Sequence, residues 1–272
     1  MTLGMNSELP IGIFDSGVGG LTVVREIHRV LPGEDLIYLG DTARVPYGTK
    51  SPSTVVRFAC EDTQFLVQQN VKAVVVACNT CSAWALPMLE KKFQVPVFGV
   101  IAPGVHAALK QTTNGRIGII GTSATIRSKA YSLGVTARSE SAKVFARACP
   151  LLVPLVEEGW VNHKITGEVL DEYLRPLMRQ RIDTLILGCT HYPLLKSAIR
   201  KVVGPKIALV DSAEACARYV RDRLQKLKLL GTRKRTGIIQ PFVTDETDNF
   251  AVVAKQFLKA RTEQPWKIDL TY

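Results

Sequence analysis

Two short stretches constrain the fold of this chain more than any other feature, because each places a cysteine at the end of a buried strand. Residues 74–80 read VVVACNT, and residues 185–191 read LILGCTH. Apolar runs this short, rich in Val, Ile and Leu, are typical of strands buried on both faces of a parallel sheet. Cys78 and Cys189 are therefore predicted at the C-terminal ends of their strands, where open α/β sheets bind ligands.

The two halves of the chain repeat the same landmarks in the same order. Residues 11–16 (IGIFDS) match residues 117–122 (IGIIGT) at an offset of 106. Pro46 matches Pro154 at an offset of 108, and Cys78 matches Cys189 at an offset of 111. Three ordered matches with nearly constant spacing indicate an internal duplication.

Strands and helices alternate in each half, which is the pattern of an open parallel sheet with helices on both faces. The predicted fold class is α/β, with two pseudo-symmetric, open, mostly parallel sheet domains that face each other across an active-site cleft. The first domain is predicted to span residues 1–102 plus 212–272, and the second residues 103–211. A tail strand at 236–244 and a helix at 249–260 have no counterpart in the first half and are expected to pack back on the first domain.

Composition bounds the class of protein. The chain has 272 residues, 46% of them hydrophobic, and a net charge of +11, which is typical of globular rather than disordered proteins. Neither a signal peptide nor an apolar run of membrane-span length is visible, so we expect a cytoplasmic protein without a membrane partner. The densest basic cluster, residues 233–235 (RKR), is predicted to be a solvated loop, and nucleic-acid binding is not favoured.

The two strand-end cysteines are candidate acid–base groups. If equivalent strand ends face each other, Cys78 and Cys189 approach one ligand from opposite sides, and a helix start after each would favour the thiolate. Such a pair suits a reaction that removes a proton from one face of a carbon and delivers one to the other. Two alternatives remain open: a redox dithiol of Cys78 and Cys81, and a zinc site completed by Cys189 and His191. The six cysteines are expected to be free, catalytic or metal-bound rather than disulfide-linked.

Polar residues beside these strand ends are candidate partners for the thiols. Asp15 and Ser16 precede a glycine-rich turn whose backbone N–H groups could bind a carboxylate. The glycines of this turn match neither a dinucleotide-binding loop nor a P-loop. His191 can reach the same cleft as the second cysteine, where an imidazole would tune the thiol and pass protons. Glu157 falls in a loop that the duplication places at the site.

Four motifs together resemble those of the glutamate racemases, in the cofactor-independent aspartate/glutamate racemase superfamily. They are residues 14–20 (FDSGVGG), 46–48 (PYG), 77–80 (ACNT) and 188–193 (GCTHYP). The motifs occur in the family's order and span nearly the whole chain. One departure is Cys81, where the family usually has a small residue such as alanine. A thiol at this position could trap Cys78 as a disulfide.

The resemblance implies that the chain interconverts L- and D-glutamate without a cofactor or metal, supplies D-glutamate for bacterial peptidoglycan, and forms a homodimer. It implies that Cys78 takes the α-proton from D-glutamate and that Cys189 takes it from L-glutamate. Asp15 would assist Cys78, His191 would assist Cys189, and Glu157 would be a further carboxylate near Cys189. Aspartate racemisation within the same superfamily remains an alternative. The positions that match substrate contacts are Asp15, Ser16, Pro46, Tyr47, Gly48, Asn79, Thr80, Thr122, Thr125, Thr190 and His191.

Overall fold

The computed structural model describes residues 6–245, 254, 257, 258 and 264–270. In the first half, the short apolar runs form strands and the amphipathic stretches between them form helices. The elements in chain order are β1 (Ile11–Asp15), α1 (Leu21–Val30), β2 (Leu36–Gly40), α2 (Pro52–Gln68), β3 (Ala73–Val76), α3 (Asn79–Trp84), α4 (Leu86–Lys92), β4 (Val97–Gly99) and α5 (Ile101–Gln111).

The second half repeats this alternation and then adds a tail. Its elements are β5 (Arg116–Gly121), α6 (Ser123–Arg127), α7 (Ala130–Thr136), β6 (Lys143–Ala148), α8 (Leu152–Glu157), α9 (Lys164–Arg179), β7 (Thr184–Gly188), α10 (Lys196–Val203), β8 (Ala208–Asp211), α11 (Ser212–Lys226), β9 (Ile239–Val243) and β10 (Trp266–Lys267). Short 3-10 helices lie at Thr42–Arg44, Tyr47–Thr49 and Tyr192–Leu195.

The strands form two parallel sheets with the same internal order. The first sheet runs β10-β9-β2-β1-β3-β4 and the second runs β6-β5-β7-β8. Phe14 pairs with Val76 in the first sheet, and Ile120 pairs with Leu187 in the second. These pairs are related by the offsets of 106 and 111 residues that the sequence shows, so the two sheets agree in register as well as in strand order. The predicted fold class is confirmed.

The strands that end in cysteine lie in the interior of their sheets. Every residue of β1, β3 and β7 is buried, as expected for strands covered by helices on both faces. Because all strands of a parallel sheet point the same way, Asp15, Cys78 and Cys189 emerge at the C-terminal edges of their sheets. The fold thereby gathers the polar residues of the motifs at these edges.

The tail extends the first sheet. β9 pairs in parallel with β2, from Leu36 opposite Ile239 to Gly40 opposite Val243, and β10 follows at the edge. The predicted tail strand therefore exists and adds to the sheet of the first half. The helix predicted at 249–260 falls almost entirely outside the described residues, and the domain boundaries at 102/103 and 211/212 stay a prediction.

The basic cluster at 233–235 is exposed, but two of its side chains are paired with carboxylates. Arg233 lies 2.7 Å from Glu8, and Arg235 lies 2.7 Å from Asp35. Much of the local positive charge is therefore neutralised within the chain. None of the helices in the described part of the chain is long and apolar enough to cross a bilayer.

Candidate active site

A cavity of about 290 Å³ opens where the C-terminal edges of the two sheets meet. Both strand-end cysteines line it, together with most of the predicted contact residues. Asp15 and Thr125 do not line it, and they lie buried behind its wall. The predicted residues in the lining are Ser16, Pro46, Tyr47, Gly48, Cys78, Asn79, Thr80, Thr122, Glu157, Cys189, Thr190 and His191.

Cys78 sits immediately before α3 and is 5% exposed. A hydrogen bond from the Cys81 thiol contributes most to lowering the pKa of Cys78, and the Cys81 amide and Ser16 add to it. Burial and the negative charge of Asp15 oppose this shift. The Cys78 sulfur lies 3.7 Å from the Ser16 hydroxyl oxygen. The surroundings therefore favour a thiolate at the first strand end.

Cys81 supports this thiolate as a protonated neighbour. It is fully buried, and burial together with the contact to Cys78 raises the pKa of Cys81 well above its ordinary value. The Cys81 thiol thus remains a donor. Burial also raises the pKa of Cys149 and of Cys216 to about 12, which keeps those thiols protonated. All six cysteines are free.

Cys189 has a different partner from Cys78. Its sulfur lies 3.9 Å from Nδ1 of His191, whose Nε2 lies 2.9 Å from a carboxylate oxygen of Glu157. Burial lowers the pKa of His191, but hydrogen bonds and charges from Cys189 and Glu157 outweigh burial and raise it to about 10. His191 is therefore an imidazolium at neutral pH, held between a sulfur and a carboxylate.

The secondary structure around this triad differs from the prediction in two details. Glu157 was expected in a loop and is instead the last residue of α8. The helix continues through Pro154 because that proline lies in the first turn, where its missing N–H has no helical partner to lose. After Cys189 the chain forms the 3-10 helix Tyr192–Leu195 before α10 begins, so no α-helix starts directly beside this thiol.

Asp15 links the two halves of the site. It is fully buried, and its Oδ1 accepts a hydrogen bond from the Thr190 hydroxyl at 3.4 Å. Burial raises the pKa of Asp15, although the charge of His191 and nearby amides oppose this shift. Oδ2 has no well-formed hydrogen-bond partner among the described residues. The predicted helper of Cys78 therefore contacts the motif of Cys189 directly and acts on Cys78 through its charge.

Gly19 lets these two motifs approach closely. A Cβ atom at this position would lie 2.4 Å from the Thr190 hydroxyl oxygen and 2.5 Å from Nδ1 of His191. Real Cβ atoms do not approach other atoms so closely, so a side chain here would displace the second cysteine motif. The Thr22 hydroxyl also donates to the carbonyl of Thr190 at 2.9 Å. The glycine-rich turn thus positions Thr190 and His191.

Asn79, Thr80 and Thr122 form another part of the cavity lining. The Asn79 side chain is 2% exposed, and its Oδ1 accepts a hydrogen bond from Tyr131 at 2.7 Å. Its Nδ2 has no partner among the described residues. The Thr80 hydroxyl lies 3.0 Å from that of Thr122 and 3.2 Å from that of Thr125. These contacts join α3 to α6, and Asn79, which lines the cavity, keeps one buried amide donor without a partner among the described residues.

Tyr47 lines the cavity, but its hydroxyl is engaged elsewhere. The hydroxyl donates to Asp41 and lies 3.3 Å from Asp62, and Arg44 pairs with both carboxylates at 2.6 and 3.1 Å. Any contact between Tyr47 and a ligand therefore uses its ring or backbone. This buried charge network was not predicted, because residues 41, 44, 47 and 62 carry no shared motif.

The remaining lining residues were also absent from the prediction. They come from loops and short helices beside the motifs, and their residue types carry no signal of function. They are Gly17, Val45, Thr49, Ser123, Pro150, Val153 and Pro154. The described lining contains no lysine or arginine, and no group of three or more His, Cys, Asp or Glu within the described chain could hold a metal ion.

Comparisons with known proteins agree with this geometry. A model of the Asp/Glu/Hydantoin racemase family matches residues 11–220. The chain is 48% identical over 260 residues to the glutamate racemase of Geobacter metallireducens, an alignment that covers 96% of each protein.

Two solved structures are also similar. The crystal structure of a glutamate racemase isoform from Bacillus anthracis has a TM-score of 0.93 and 40% identity, covering 97% of this chain and 98% of that one. The glutamate racemase of Francisella tularensis, solved in complex with D-glutamate, has a TM-score of 0.90 and 39% identity with the same coverage. The chain therefore belongs to the Asp/Glu/hydantoin racemase family, as the resemblance of its four motifs predicts.

Proposed function

We propose that this protein interconverts L- and D-glutamate by proton transfer at the α-carbon between two thiols. The observation that carries the proposal is the pair of cysteines, which emerge from equivalent strand ends of two sheets and line one cavity. Similar relatives are named glutamate racemase, and one of them was solved with D-glutamate. A cavity of about 290 Å³ suits a ligand smaller than a drug-sized molecule,.

The proposed reaction moves one proton on each face of the substrate. With D-glutamate, the Cys78 thiolate takes the α-proton, so the Cα–H bond breaks and an S–H bond forms. The carbon then takes a proton from the Cys189 thiol on its opposite face, which leaves a thiolate there and L-glutamate in the cavity. L-Glutamate reacts by the reverse sequence. His191, charged and 3.9 Å from the sulfur, stabilises or reprotonates the Cys189 thiolate,.

Hydrogen-bond donors in the cavity suit the carboxylates of a glutamate substrate. His191 is the one group in the described lining that is cationic at neutral pH. Other donors are neutral: the free Nδ2 of Asn79 and the hydroxyls of Ser16, Thr80 and Thr122. Donors fixed in a largely buried site stabilise negative charge more than the same groups do in water. They bind the carboxylates and also favour the carbanionic charge that develops as the proton leaves.

Positioning must supply much of the remaining rate enhancement. An amino acid's α-proton is very weakly acidic, and a thiolate is a poor match for it. Holding the sulfur and the α-carbon in a near-attack geometry can remove several kcal/mol of barrier. The buried contacts around Cys78, and those of His191 beside Cys189, serve this purpose because they limit the motion of the two sulfur atoms.

The decisive experiment follows the circular dichroism of D-glutamate in the presence of the purified protein. The signal should decay to zero, and in D₂O the α-proton of both enantiomers should exchange. A Cys60→Ser variant, which alters a half-buried thiol outside the cavity, should remain active. A constant signal with D-glutamate and decay with D-aspartate would instead assign the site to aspartate racemisation. Stoichiometric zinc that survives dialysis of an inactive protein would contradict the proposal altogether.

The biological setting is part of the same proposal. D-Glutamate made in the cytoplasm would enter peptidoglycan synthesis, and the resemblance implies a homodimer. Expression of the chain should restore growth of a bacterium that requires added D-glutamate. A variant that lacks Cys78 should fail to do so. Light scattering of the purified protein should give twice the 29.9 kDa of one chain, and a monomer mass would contradict the dimer.

A further inference from the structure

We propose that Tyr131 is a positioning residue that fixes the side-chain amide of Asn79 with its NH₂ group facing the cavity. This inference rests on the proposed function and extends it to a residue that the ligand does not touch. Tyr131 lies on α7, belongs to the second half of the chain and is absent from the cavity lining. Asn79 begins α3, directly after Cys78. The contact therefore joins the two halves beside the first thiol.

The hydrogen bonds around the amide define its orientation. The Tyr131 hydroxyl donates to Oδ1 of Asn79 at 2.7 Å, which leaves Nδ2 as the end without a partner. Burial raises the pKa of Tyr131, so its hydroxyl keeps the proton that it donates. A buried amide donor without a partner is unfavourable unless a ligand supplies an acceptor. Nδ2 is thus a vacant donor for a carboxylate oxygen.

The tyrosine ring is held so that this donation has one geometry. A Cβ atom on Gly104 would lie 3.1 Å from Cε1 of Tyr131, and one on Gly188 would lie 3.1 Å from Cε2. The backbones of α5 and β7 therefore pack closely against both edges of the ring. Tyr131 is 2% exposed. Since the ring cannot shift, the amide of Asn79 must adapt to the hydroxyl.

The orientation matters because the lining contains no lysine or arginine. An amide has nearly the same shape after a half-turn, but the turned amide would present its carbonyl oxygen to a substrate carboxylate. That arrangement replaces attraction by repulsion. Without the Tyr131 hydroxyl, both orientations of Asn79 become available, and part of the population binds substrate poorly. Both enantiomers should be affected alike, because the Asn79 amide binds a carboxylate of the substrate and not the α-carbon at which the enantiomers differ.

A Tyr131→Phe variant tests the proposal by separating binding from chemistry. KM should rise about fivefold for both enantiomers, the factor expected for one ordinary hydrogen bond, while kcat changes less than twofold. In an inactive Cys78→Ser background, calorimetry with D-glutamate should show the same weakening when Tyr131→Phe is added. This binding measurement holds even if no racemisation is detected. Unchanged or tighter binding would overturn the proposal.

A double-mutant cycle excludes a merely structural role. Asn79→Ala removes the amide, so Tyr131→Phe should then have no further effect on D-glutamate binding. Equal losses in both backgrounds would show that Tyr131 acts through general packing, which contradicts the proposal. Tyr192→Phe is the matched control, because its fully buried hydroxyl donates to the Cys149 carbonyl at 2.9 Å. That variant should destabilise the fold similarly and leave KM unchanged.

Discussion

Replacing Glu157 with glutamine should lower the pKa of His191 while keeping a side chain of the same size beside it. The glutamate oxygen lies 2.9 Å from Nε2 of His191, so it favours the imidazolium. Glutamine keeps the size and a hydrogen-bond acceptor but lacks the charge. The pKa of His191 should therefore fall from about 10. Because this imidazolium serves Cys189, the alkaline fall in kcat/KM should move to lower pH.

The magnitude follows from the exposure of the pair. The Glu157 side chain is 46% exposed, whereas that of His191 is 8% exposed. Two unit charges about 4 Å apart attract by about 1 kcal/mol in water and by about 4 kcal/mol at a protein-like dielectric constant of about 20. Since half of the carboxylate faces solvent, screening places the effect near the lower value. About 1 kcal/mol corresponds to a pKa near 9 in the variant. His191 is then still charged at pH 7, so kcat/KM should change little there and should fall only as the pH rises past about 9.

Nuclear magnetic resonance of ¹⁵N-labelled histidine measures this pKa directly, since the chain has 4 histidines. Glu158→Gln is the matched control, because it removes a negative charge from the neighbouring residue. The Glu158 side chain is exposed and has no described contact to His191. The control should leave the titration unchanged. An unchanged or higher pKa of His191 in the Glu157 variant, or an equal fall in both variants, would refute the assignment of the charge pair.

The same pair makes stability depend on pH. The pKa of His191 is about 10 in the folded protein against an ordinary value of 6.5, so the folded state binds this proton more tightly. The contribution to the free energy of unfolding is fully present below pH 6.5 and is lost as the pH rises to about 10. Denaturant unfolding across this window should show a decline that ends at a lower pH, and is therefore smaller in total, in the glutamine variant than in the wild type.

Three further sets of substitutions test other parts of the site. Cys78→Ser and Cys189→Ser should each lower kcat/KM by about 10³-fold or more, as expected when an acid–base group is lost; full activity of either would contradict the two-thiol reaction. Gly19→Ala should lower kcat/KM and cost about 1–3 kcal/mol of stability by overpacking. Its control, Gly167→Ala, adds a Cβ with nothing within 4 Å and should stabilise α9 by up to about 1 kcal/mol. Similar results for both variants would refute the close approach of Gly19 to Thr190 and His191. Asp15→Asn should raise the free energy of unfolding at pH 8, because burial raises the pKa of this carboxyl, and should lower kcat/KM by about 10²-fold; lower stability would show that the buried charge is compensated.

Local pattern was sufficient to predict the strand ends and their equivalence. A strand buried on both faces leaves a continuous apolar run, so the ends at Cys78 and Cys189 are visible without tertiary information. The constant offset also indicated that the two halves are built alike. The structure agrees, because Phe14 and Ile120 occupy equivalent positions in the register of the two sheets. The fold class followed, because alternating strands and helices allow few arrangements with short connections.

Contacts between distant residues could not be predicted in the same way. The carboxylate of Asp15 contacts Thr190, 175 positions away, although the family resemblance assigns Asp15 to Cys78. Tyr131 lies in a helix whose sequence gives no sign that its hydroxyl reaches Asn79. Such contacts depend on how the two sheets pack together, and neither periodicity nor spacing encodes that packing. The sequence therefore identified most of the residues that line the cavity, but few of the contacts that position them.

The unequal surroundings of the two thiols restrict where asymmetry can appear in the kinetics. L- and D-glutamate have equal free energies in water, so their equilibrium constant is one at every pH. For any variant, kcat/KM must then be equal in the two directions, whatever its active-site charges. The lowered pKa of Cys78 and the charged neighbour of Cys189 can therefore change kcat and KM only in a compensating manner.

This constraint yields a prediction for the wild-type protein. A resting form with Cys78 already ionised is ready for D-glutamate, whereas L-glutamate requires the form with a proton on Cys78. We expect the pH profiles of kcat to differ between the enantiomers while the profiles of kcat/KM coincide. Initial rates from both enantiomers across pH 6–10 measure both quantities. Coincident kcat profiles would mean that the two thiols are equivalent despite their different partners, and the assignment of distinct roles to Cys81 and His191 would fail.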